Sequence, residues 1–126
     1  MFSHIAIGAN DIELSKAFYD AALGALGIPP GTFDDKGRCH YATDQGRLML
    51  TRPINGAAAT GANGGTIGFT AQDTASIDAW HAAGIAHGGT TCEDSPGIRD
   101  MGKFQLYLAY MRDPAGNKLC AMHVVS

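Results

Sequence analysis

The feature that most constrains this chain is that its two halves repeat each other. Displaced by 62 residues, His4-Ile5-Ala6-Ile7 falls on Thr66-Ile67-Gly68-Phe69, Asp11 on Asp73, Ala17 on Ala79 and Phe18 on Trp80. Self-similarity on that scale marks one structural unit used twice. Each copy opens with a short strand-like run, and a helix-start residue follows it. In the first copy Asn10 and Glu13 have capping-box spacing, in which each side chain satisfies an exposed backbone N–H. Leu14, Phe18, Ala22 and Leu26 then recur every fourth residue, which predicts one buried helical face ending near Gly27. In the second copy Asp73 is positioned to cap a helix carrying Ile77, Trp80 and Gly84, with Gly88-Gly89 as its stop.

Strand-like runs follow each helix, at residues 37–43 and 47–52 in the first copy and at 90–93, 104–112 and 118–124 in the second. Pro53 through Gly65, rich in Ala, Gly and Asn, reads as a connector. A chain of 126 residues has room for one core rather than two. The expectation is a single α+β domain: module one at 1–52, connector at 53–65, module two at 66–126. The two βαβββ-type modules are expected to form a shared, strongly curved mixed sheet around a cleft. Whether they meet within one chain or across a homodimer stays open at this point.

Composition excludes several classes of function. The net charge is −3 and the nine Lys and Arg are scattered, so no nucleic-acid partner is expected. Cys39, Cys92 and Cys120 form no C-x-x-C pair, which points to a reduced, cytoplasmic compartment. No basic leader opens the sequence and no apolar run is long enough to cross a bilayer, so neither export nor a membrane partner is expected. The run Gly61-Ala62-Asn63-Gly64-Gly65 lacks the Lys of a phosphate loop and gives no support for nucleotide binding.

The repeat, the opening Ser3-His4-Ile5-Ala6-Ile7, the Phe18-Tyr19 pair and the closing Arg112-Asp113-Pro114-Ala115-Gly116-Asn117-Lys118-Leu119 together resemble the vicinal oxygen chelate superfamily. That is the group of glyoxalases, bleomycin-resistance proteins and extradiol dioxygenases, and the resemblance runs over essentially the whole chain. The Asp-Pro-x-Gly-Asn segment has its own physical reading as a tight turn, with an early Pro and a Gly free to take positive φ. In metal-using members, the resemblance implies His and Glu ligands from the first and last strands of each half. Here those positions hold His4, Thr66, Met49 and Cys120. A hard divalent ion prefers oxygen ligands, and zinc or nickel sites combine imidazole with carboxylate, so this set reads as a largely dismantled metal site. His4 is the one surviving metal candidate, and the cofactor is left unassigned.

The resemblance also implies a small-molecule ligand in the cleft. His4 is a candidate base, and Cys120 a candidate nucleophile if an imidazolium stands beside it. The plainer reading of Met49 and Cys120 is inward packing. Arg52 and Arg99 are candidate grips for a carboxylate or phosphate, against the commoner outcome of a solvated arginine. Met49, Thr66 and Tyr107 are candidate walls. Alternation sends one residue of each pair His40/Tyr41 and Tyr107/Tyr110 towards the cleft, but does not say which. Two functions follow. One is a glyoxalase-related enzyme of lyase, isomerase or dioxygenase type, acting on a small oxygenated or electrophilic molecule. The other is a metal-free binding or sequestering protein of the bleomycin-resistance type.

Overall fold

The computed structural model describes residues 1–126. Asp11 caps the first helix, α1 (Ile12–Gly24), its Oδ1 accepting from the Leu14 N–H at 3.1 Å. This replaces the cap expected at Asn10. Asn10 instead uses both ends of its amide on the connector, accepting from Ala59 N at 2.7 Å and donating to Ala59 O at 3.2 Å. The buried face of α1 consists of Ile12, Ser15, Phe18, Tyr19, Ala22 and Leu23, whereas Leu14 stays 45% exposed. A strict every-fourth row drifts about 40° per step around a 3.6-residue helix, so the row from Leu14 to Leu26 cannot stay on one face. The second helix, α2 (Thr74–Ala86), matches its expectation: Asp73 accepts from Ser76 N at 2.7 Å, and Ile77, Trp80 and Gly84 are buried.

Nine strands complete the α+β fold. In module one, β1 (His4–Gly8), β2 (Thr32–Phe33), β3 (Cys39–Thr43) and β4 (Gly46–Thr51) form a sheet of order β1-β4-β3-β2, with β1 parallel to β4. In module two, β5 (Ile67–Thr70), β6 (Thr90–Thr91), β7 (Gly97–Asp100), β8 (Gln105–Arg112) and β9 (Lys118–Val124) form a second sheet of order β5-β9-β8-β6, with β7 also on β8. Two details differ from the sequence reading. The strands make two separate mixed sheets rather than one shared ladder, with β1 and β5 each at a sheet edge. Residues 97–100, which fall outside the strand-like runs of the sequence, are a strand. Its one apolar residue, Ile98, is 54% exposed, so no buried alternation betrays it.

The modules join through their helices and a polar knot. α1 packs on α2, where any side chain at Gly84 would run into Met111 and Phe18. Nearby, the buried Asp113 carboxylate accepts from Tyr19 OH at 2.6 Å and from Asn117 Nδ2 at 2.8 Å, while the same amide donates to Gly8 O at 2.9 Å. The Asp-Pro-x-Gly-Asn turn therefore ties module two to both β1 and α1 of module one. No helix is long and apolar enough to cross a membrane.

Helix packing settles the strand parity. Ile5, Ile7, Cys39, Tyr41, Leu48 and Leu50 face the core in sheet one, as do Ile67, Phe69, Tyr107, Ala109, Met111, Leu119 and Ala121 in sheet two. The alternate residues, among them His4, His40, Arg47, Met49, Gly68, Tyr110 and Cys120, lie on the faces turned away from the helices.

Candidate functional site

A hollow of about 450 Å³ opens between the edge strands β1 and β5, and both modules line it. Module one supplies Phe2, His4, Ile5, Tyr41, Arg47 and Leu48, with Leu23, Leu26 and Ile28 from the end of α1 and the turn after it. Ile67 through Thr70 form the module-two wall. Gly68 has no heavy atom within 4 Å of where its Cβ would stand, so the wall is open at that point. A concave, half-apolar space with a few polar groups at its edge is the usual form of a small-molecule site.

His4 and Arg47 are register partners on β1 and β4 and also line an adjoining hollow of about 400 Å³ on the helix-free face of sheet one, together with Ser3, Arg38, His40 and Met49. His4 Nδ1 lies 2.8 Å from Ser3 Oγ. His40 Nε2 lies 2.7 Å from Asp34 Oδ2, and Arg38 Nε donates to the same oxygen at 2.6 Å. The hydrogen bond from His40 is the largest of the causes holding the Asp34 carboxyl well below the usual range, and backbone N–H donors add to it against desolvation. An ionised carboxylate only accepts, so Nε2 of His40 carries the proton, while its buried Nδ1 has no partner.

The expected site residues separate into three groups. His4 and Met49 share one hollow. Cys120 lies on sheet two beside Tyr110, with Glu93, Lys118 and Arg99 as its charged neighbours and His4 not among them. Burial pushes its thiol up and so favours the neutral form, and a hydrogen bond with Tyr110 opposes this. The rest do not join either group. Thr66 is exposed, one residue before β5, and Arg52 is exposed just after β4. Arg99 turns its guanidinium back on its own loop, donating to the carbonyls of Gly97, Ser95 and Asp94 at 3.1, 3.1 and 3.3 Å. Tyr107 faces the helix side, where its OH donates to Asp78 at 2.7 Å.

Reasoning from the sequence passed over Arg47, Arg38 and Asp34. The signal for Arg47 was its position two residues before Met49 on one strand, which puts both on the same face. The metal question turns on donor chemistry. His4 brings one imidazole, and nowhere do three His, Cys, Asp or Glu side chains converge as ligands. The residues present do not fit the His and Glu set that the resemblance implies.

The model of the Glyoxalase/Bleomycin resistance protein/Dioxygenase superfamily matches residues 1–121. The chain belongs to this superfamily. Among solved structures of the superfamily, a glyoxalase/bleomycin resistance protein from Albidiferax ferrireducens T118 is 57% identical, with 98% of each chain covered and a TM-score of 0.93. A glyoxalase/bleomycin resistance protein/dioxygenase family enzyme from Burkholderia phytofirmans PsJN, 17% identical over 98% of each chain at a TM-score of 0.74, shares the fold. So does a lactoylglutathione lyase from Agrobacterium tumefaciens, 21% identical over 97% of this chain and 92% of that one, at 0.64. No curated protein matches the sequence.

Proposed function

We propose that this superfamily member is a small-molecule binding protein of the bleomycin-resistance type, which holds an organic ligand between its modules without a resident metal. The observation that carries the reading is the two-module hollow with a single imidazole, His4, on its wall. The other three positions at which the resemblance implies ligands hold Thr66, Met49 and Cys120, so binding rests on apolar contact and a polar rim rather than chelation. The reading includes a homodimer, in keeping with β2 and β6, which end the two sheets on the sides away from the hollow. It also includes a reducing, cytoplasmic setting, in keeping with three free cysteines.

The test uses untagged protein purified without chelator. Elemental analysis is expected to find no stoichiometric metal. The neutral fluorophore N-phenyl-1-naphthylamine is expected to bind saturably, unchanged by EDTA. Gly68→Trp, which fills the open part of the wall, is expected to abolish that binding while the thermal midpoint stays within a few degrees of the parent. A full equivalent of metal that disappears in His4→Ala defeats the reading. So does fluorophore binding that is absent or indifferent to the Gly68 substitution.

A further inference from the structure

We infer that the ligand of this hollow is an amphipathic monocarboxylate, with its apolar body between the modules and its carboxylate on Arg47. The inference rests on the small-molecule reading above and adds the chemistry of the ligand. The body of the hollow is apolar: Ile5, Leu23, Leu26, Ile28, Leu48 and Phe69 line it. Its rim carries two charged side chains, Arg47 and Asp44. Arg47 lines this hollow, the adjoining one on the helix-free face of sheet one, and a third hollow on that face beside Thr32, Phe33 and Asp34.

Arg47 has no partner within the protein. The chain makes four ion pairs and none includes it. The one carboxylate lining the two-module hollow, Asp44, sits on the exposed turn between β3 and β4 and is not paired with Arg47. The carboxylate on the neighbouring face, Asp34, is fully engaged. Its Oδ2 serves Arg38 and His40, and its Oδ1 accepts from the backbone N–H groups of Lys36 and Arg38.

Charge complementarity selects the ligand. A planar guanidinium binds a carboxylate through two parallel N–H donors, which gives the pair a fixed geometry as well as charge. An amine in the same place would be repelled by Arg47. A neutral head would cover the guanidinium without replacing the water it displaces. His4, beside Arg47 across the strand pair, offers a further ring nitrogen to the same head.

The experiment is displacement of N-phenyl-1-naphthylamine by three eight-carbon competitors, octanoate, 1-octanol and octylamine, from the parent protein and from Arg47→Gln. Octanoate is expected to lose about ten-fold in affinity in Arg47→Gln, the scale of one charge-assisted contact. 1-Octanol is expected to compete equally with both proteins, and octylamine to compete more weakly than 1-octanol with the parent. Arg47→Lys, which keeps the charge and loses the fork, is expected to fall between. Octanoate binding unchanged in Arg47→Gln, while the fluorophore still binds in a Gly68-dependent way, overturns this inference alone. Failure of the fluorophore to bind the parent protein removes the small-molecule reading and this inference together. Fluorophore binding that fades as protein concentration rises assigns the hollow to a second copy of the chain and also overturns it.

Discussion

Asp34 accepts four hydrogen bonds, from His40 Nε2, Arg38 Nε and the backbone N–H groups of Lys36 and Arg38. The bond from His40 does most to hold its carboxyl below the ordinary range. A carboxylate depressed in the folded state contributes stability above its unfolded pKa of about 3.9, and that contribution is lost as pH falls towards the folded value. Asp34→Asn is therefore expected to be less stable than the parent at pH 7, with the gap closing as pH is lowered from about 5 towards about 2. Urea midpoints measured across that range check this, and a gap independent of pH would contradict it. Gly31 shows a different constraint of one residue, because a Cβ there would stand 2.5 Å from Cys39 Sγ and 2.6 Å from Tyr41 Cζ. Gly31→Ala is expected to cost about 1–3 kcal/mol in denaturant unfolding, the range for forcing atoms into a packed core. Neither constraint was legible in the sequence. Both depend on residues two to ten positions away that the chain brings back against Asp34 and Gly31.

At the scale of elements, the internal repeat was a better guide than the local motif. The 62-residue shift aligns Asp11 with Asp73, and both cap their helices. The capping-box spacing of Asn10 and Glu13 pointed one residue too early. Asp11→Ala and Asp73→Ala are each expected to cost about 1 kcal/mol by chemical denaturation. Asn10→Ala is expected to leave helical circular dichroism intact and to speed proteolysis within residues 53–65, because it removes both bonds that pin Ala59. Slower cleavage, or helix loss equal to that of Asp11→Ala, would restore the capping role to Asn10. The long strands β4, β8 and β9 were readable to within a residue or so from their apolar content. The two-residue β2 and β6 are too short to carry a period, and β7 has its single large apolar residue half in solvent.

At the scale of the molecule, the two modules share one core cluster, with Phe18, Tyr19 and Leu50 of the first and Trp80, Met111 and Leu119 of the second among its members. Tyr19→Phe removes one donor from the buried Asp113 carboxylate and is expected to cost about 1–3 kcal/mol. It should lower a single thermal transition rather than split it, as calorimetry would show. Two separate transitions would mean that the modules fold as independent units. The sequence by itself determined the duplication, the order and type of the main elements, the buried stripe of α2 and the superfamily, because these follow from local pattern and repetition. Only the tertiary structure decided which strand face meets the helices and which is left free. A period of two reads the same from either side until a helix covers one face, and that packing sends His4, Met49 and Arg47 away from the core and turns Tyr107 back onto α2.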